Sequence, residues 1–134
     1  MILPIVLYTA LACSYMGVDI SWVYYEHTNR IEICTERDAE EQASTLVHEY
    51  GHFIWFKILN QAERDEYAVA RQEMVDYLSN GNDYIFYHAL NNSVEEDFAE
   101  TVANIYYYKD QRPQFADLHA QTKSILKKAI WRSR

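Results

Sequence analysis

Residues 48–52 read His-Glu-Tyr-Gly-His, and no other stretch narrows so far what this chain can fold into. Two histidines four positions apart face the same way on an α-helix, one turn from each other. Their neighbours Leu46, Val47, Phe53 and Ile54 are apolar, which places the pair in the middle of a buried helical segment. Buried imidazoles need polar partners. Two neutral rings at this separation can converge on one Zn²⁺. Glu49, beside the first ring, can then reach a zinc-bound water, whose pKa the metal draws down towards 7, and take its proton. Gly51 costs a helix about 1 kcal/mol relative to Ala. That cost is tolerable where another element must approach closely.

The rest of the chain supplies a mostly helical frame. Three Gly and two Pro in 134 residues leave few breakers. The length is that of one domain, 1–134, with core enough to need no disulfide. Asp38 with Glu41 resembles a capping box, opening a helix over 38–60 with Leu46, Phe53 and Phe56 among its apolar positions. Residues 62–78 have helical periodicity, with Tyr67, Met74, Val75 and Leu78 directed inward. Ser93 caps a helix over 93–110, and Pro113 opens a last one over 113–131. Upstream, Pro4 and Gly17 bracket an apolar, uncharged run that reads as a buried N-terminal helix. Val18–Tyr25 and Arg30–Thr35, around a turn at 26–29, read as a β-hairpin over 18–35. In its second strand Ile31 and Ile33 share one face, and Glu32 and Cys34 the other. The predicted fold class is therefore α+β, mostly helical.

A net charge of −8 argues against nucleic acid as a partner. The charge is uneven. Residues 1–108 carry 5 Lys/Arg against 18 Asp/Glu, whereas 109–134 carry 7 against 2. The basic stretch either lies against the acidic body or decorates a solvated helix. Cys13 and Cys34 have the spacing of neither a metal knuckle nor a disulfide framework. The apolar run 1–16 is too short to span a bilayer, so no stable membrane insertion is expected. No Lys or Arg precedes it, so it makes a poor signal peptide, although a targeting segment is the alternative reading. Cytoplasmic residence and export as an effector both stay open.

Catalytic zinc needs a third protein ligand and an open fourth position. Residues 53–57 offer no ligand. The best source is Val94–Glu100, where Glu96 and Glu100 share a helical face. Glu96 can bind the metal while Glu100 accepts a hydrogen bond from a ligating imidazole. The same acidic run also suits a solvated helix N-terminus, favoured by the macrodipole.

HExxH followed by ExxxE on a second helix resembles the gluzincin metallopeptidases. HEYGH with Glu-Asp-Phe-Ala-Glu is similar to their minimal members, the minigluzincins, and to anthrax lethal factor-like catalytic domains, over about residues 30–125. The resemblance implies a small zincin-like domain with one catalytic Zn²⁺. It implies His48, His52 and Glu96 as ligands, Glu49 as general base and acid, and Glu100 behind His48. It implies a Tyr ahead of the glutamate helix that steadies the oxyanion. Tyr87 is the first candidate, with Tyr84 and His88 as alternatives. It also implies that the strand before the active-site helix borders the cleft. Ile31, Glu32, Ile33 and Cys34 would then form an edge for an extended peptide. The expected function is that of a zinc-dependent endopeptidase of narrow specificity, acting on a peptide or protein substrate. The alternative is a latent or inactive zinc-binding module working through protein–protein contacts, with Lys123 to Arg134 covering an acidic cleft in the latent form.

Overall fold

The computed structural model describes residues 5–8, 22–25, 30–34, 39–79 and 93–133. Helices make up most of them. In chain order the elements are β1 (Ile5–Tyr8), β2 (Trp22–Tyr25), β3 (Arg30–Cys34), α1 (Ala39–Phe53), α2 (Gln61–Ser79), α3 (Val94–Tyr106) and α4 (Ala116–Arg132). α1 runs directly into a π-helical turn, Ile54–Ile58, and a 3-10 turn, Pro113–Phe115, leads into α4. Among the described residues, no helix is long and apolar enough to cross a membrane.

Three expectations about the N-terminal region are corrected. First, no helix begins after Pro4. Ile5–Tyr8 is a strand parallel to β3, with Ile5 opposite Ile31 and Tyr8 opposite Cys34. The remainder of the expected helix, up to Gly17, lies outside the described residues. A short apolar run carries no helical period, so an open strand edge can decide its state. Ile5 and Val6 are also β-branched, which suits a strand. Second, there is no isolated two-stranded hairpin over 18–35. β2 runs antiparallel to β3, Trp22 opposite Ile33, but β1 takes the other side of β3. The result is a three-stranded mixed sheet in the order β1-β3-β2. Third, β3 is central. Both of its backbone edges are used, so Ile31, Glu32, Ile33 and Cys34 have no free edge to offer a peptide strand.

The helices begin and end on identifiable side chains. Glu63 N–H donates to Asn60 Oδ1 and Asn60 N–H donates to Glu63 Oε1, each at 2.9 Å. This reciprocal capping box starts α2. Ser93 Oγ accepts the Glu96 N–H at 3.3 Å and starts α3. Asp38, expected to cap α1, lies outside the described residues. At the far end of α1, Leu59 N–H donates to the Ile54 carbonyl at 2.9 Å, closing the wide π turn. Arginines take carbonyls at this end. Arg64 donates to those of Trp55 and Leu59, and Arg132 to that of Ile58, each at 2.9 Å.

The core centres on Trp55, Tyr67 and Phe98, whose ring centroids lie 5.0, 5.2 and 5.9 Å apart. Such aromatic pairs add about 0.5–1.5 kcal/mol each beyond area burial. Ile125, Leu126 and Ala129 of α4 are buried in the same cluster. α4 is thus a core helix. Two of its cations reach α2, with Lys128 Nζ 3.0 Å from Glu66 and Arg132 giving N–H bonds of 2.6 and 2.7 Å to Glu63. Of the two readings of the basic stretch, contact with the acidic body is the one observed for these residues. Their ion pairs go to α2 and not to Glu49, Glu96 or Glu100.

Candidate metal centre

α1 contacts β2 and β3 and packs most extensively on α3. Where the two helices cross, their backbones touch. A Cβ on Gly51 would stand 2.6 Å from Ala99 Cα and 3.2 Å from the Ala99 carbonyl oxygen. Only glycine fits there, which accounts for its place inside a helix. Gly51 lies between His48 and His52, and Ala99 lies between Glu96 and Glu100. The closest approach of the helices is therefore level with all four side chains.

The side chains converge at that level. His48 Nε2 and His52 Nε2 are 3.2 Å apart. Glu96 reaches both, with Oε1 2.7 Å from His48 Nε2 and Oε2 3.0 Å from His52 Nε2. A four-coordinate zinc with bonds of about 2.0–2.1 Å sets its ligand atoms about 3.3–3.4 Å apart. The three groups already sit near that spacing. On the other side of the ring, His48 Nδ1 lies 3.0 Å from Glu100 Oε2. A proton held on Nδ1 by Glu100 directs the Nε2 lone pair to the convergence point.

His48, Glu49 and His52 are all buried, and together they form a group able to hold a metal ion. Glu49 is completely buried, its Oε1 is 3.8 Å from His48 Nε2, and neither carboxylate oxygen has a hydrogen-bond partner. Leaving a buried polar group unpaired costs about 1–3 kcal/mol. Such a cost in a native site calls for a ligand or a reaction. Burial pushes the Glu49 carboxyl up to about 8, with Glu96 adding to the rise and His48 opposing it.

The electrostatics favour positive charge at this point. Burial works against protonation of His48, but the Glu100 hydrogen bond and the charges of Glu100, Glu49 and Glu96 outweigh it and raise its pKa. Burial dominates at His52 and lowers its pKa, leaving a neutral ring suited to ligation. The hydrogen bond to His48 draws Glu100 below the usual carboxylate range, against a weaker opposing effect of partial desolvation, although its side chain is more than half exposed. Three carboxylates around two imidazoles form a donor set that fits a divalent cation.

Sequence reasoning missed what holds the glutamate helix in place. Arg71 of α2 pairs with Asp97, which is buried on the next position after Glu96. Tyr67 and Thr101 share a hydrogen bond of 2.9 Å, and the Thr101 hydroxyl donates to the Asp97 carbonyl at 2.8 Å. The available signal was Arg71 itself, one of only two cations in the acidic stretch 61–79. Tyr84, Tyr87 and His88, the oxyanion candidates, lie outside the described residues. Of the proposed edge residues, Ile31 is fully buried. The chain matches no protein-family model, no curated protein and no solved structure.

Proposed function

We propose that this chain is a zinc-dependent endopeptidase of gluzincin-like design. One observation carries the reading: two imidazole Nε2 atoms 3.2 Å apart face a single carboxylate 2.7 and 3.0 Å away. His48, His52 and Glu96 would hold the ion, and Glu100 would fix the His48 ring through its Nδ1–H. A bound zinc would supply Lewis acidity, polarising a carbonyl and acidifying a water. The proton transfers belong to Glu49. Glu49 stands beside the ion site, its Oε1 3.8 Å from His48 Nε2, where a carboxylate can exchange protons with a bound water. It would accept a proton from the attacking water and return it to the leaving amine. Neither of its oxygens is hydrogen-bonded by any described residue, which leaves both open for these transfers.

The test is metal analysis combined with cleavage of a mixed peptide library, for the native chain and for Glu49→Gln. One zinc per chain is expected in both. Cleavage by the native chain is expected to fall about 10²–10⁴-fold in the variant, the usual contribution of a positioned acid–base group. Full cleavage by Glu49→Gln would overturn the mechanism. Stoichiometric zinc with no cleavage by the native chain would favour the binding module instead.

A further inference from the structure

A second concavity shares no residue with the histidine site. It is a groove of about 950 Å³ between α2 and the start of α4. On α2 it extends from Ala62 to Tyr77. At 1.5 Å per residue that is about 22 Å, the length of a helix of about 15 residues. Ala70, Met74 and Leu118 contribute apolar lining, and the lining residues Val69 and Tyr77 are 59% and 72% exposed. Asp65, Glu66, Glu73 and Asp117 also line the groove, and no Lys or Arg does.

The molecule itself shows what this acidic face accepts. Glu63 and Glu66, towards the start of α2, are met by Arg132 and Lys128 of α4. α4 is a basic amphipathic helix whose apolar side, including Ile125, Leu126 and Ala129, is buried. Further along α2 the cations of α4 no longer reach, and Arg71 of α2 itself is turned to Asp97 of α3. Glu73 there, and Asp117 at the start of α4, form no hydrogen bond or ion pair with any described residue. The same surface thus continues beyond its internal partner with the same charge and, among the described residues that line it, no counter-charge.

We propose that this groove docks a cationic amphipathic helix from a partner protein. An apolar stripe would rest on Ala70, Met74 and Leu118, and flanking Lys or Arg would meet Glu73 and Asp117. The proposal stands apart from the metal-site reading.

The experiment uses the full chain and two synthetic helical peptides of about 15 residues, matched to the groove by length. They share a leucine stripe, one carrying lysines elsewhere and the other glutamates. Fluorescence anisotropy is expected to show the lysine peptide binding at least about ten-fold more tightly than the glutamate peptide. Glu73→Lys should weaken lysine-peptide binding by about ten-fold, within the range of a close charge contact. Tyr77→Ala should weaken it as well. Glu40→Lys, an equal charge change at an exposed position on α1 outside the groove, should leave it unchanged. Glu73 is exposed, so an unaltered melting temperature should accompany its variant. Equal losses in Glu73→Lys and Glu40→Lys would mean diffuse charge attraction and overturn the proposal. So would equal affinity for the two peptides, no binding, or sedimentation showing that a second copy of the chain fills the groove.

Discussion

α1 and α3 touch backbone to backbone, whereas α2 and α4 meet partly through long charged side chains. At the first seam, Gly51 and Ala99 leave no space, and four polar side chains meet in contacts of 2.7–3.0 Å. At the second, Lys128 and Arg132 bridge to Glu66 and Glu63, and a groove lies alongside. Side-chain size at a helix contact therefore sets the scale of what the contact can hold. Small residues produce an ion-sized site, and long ones leave room for a peptide.

The largest effect expected comes from removing a donor at the tight seam. His48→Ala or His52→Ala should abolish stoichiometric zinc binding, read by metal analysis of dialysed protein. One zinc per chain in either variant would show that the seam does not form the site. Next, Gly51→Ala should destabilise the fold by about 1–3 kcal/mol through overpacking, more than the roughly 1 kcal/mol that alanine gains as a helix former. Thermal melts and zinc titration should both register the loss, because the helices carrying His48 and Glu96 are forced apart. A more stable variant would mean the seam has slack. Glu100→Gln should weaken zinc about 10–100-fold, the usual cost of losing an outer hydrogen bond to a ligating histidine. Unchanged affinity would remove Glu100 from the site.

Effects at the looser seam should be smaller. Glu63 is drawn below the ordinary carboxylate range chiefly by its hydrogen bonds to Arg132, against some burial. Its stabilisation is thus fully present above the unfolded value of about 4.3 and is lost as pH falls through the lower folded value. Urea melts across an acid series should show a shallower acid limb in Glu63→Gln, and identical slopes would contradict the assignment. Asn60→Ala, which removes the cap, should cost about 1 kcal/mol. Lys128→Ala should cost less than about 1 kcal/mol, because the Lys128–Glu66 pair is largely solvated.

Local spacing made part of this legible from the sequence. His48 and His52, or Glu96 and Glu100, are related by one helical turn, so their shared faces follow from residue order alone. The glycine inside the motif pointed to a close approach but could not name Ala99 as the neighbour. Partners chosen across the fold were less accessible. Ile5–Tyr8 is a strand beside β3, and although Ile5 and Val6 are β-branched, the partner that settles its state lies elsewhere in the chain. β3 is central for the same reason, and that removes the edge role expected of it. The Arg71–Asp97 pair spans 26 positions, and neither residue has a local spacing rule that links it to the other. The Asn60–Glu63 box was within reach, since its three-residue spacing is a capping signature.

The bond from Arg132 to the Ile58 carbonyl spans 74 residues of chain. A ribosome adding about 5–20 residues per second needs roughly 4–15 s to travel that distance. Throughout that interval the histidine segment has left the peptidyl-transferase centre, but the arginine that closes its far end does not yet exist. Glu96 trails His48 by 48 positions and also arrives late. The nascent chain must therefore carry two imidazoles without their carboxylate until Glu96 is added, and an open helix end until Arg132 is added. Assembly of the centre consequently waits on the glutamate helix, and closure of its far end on α4.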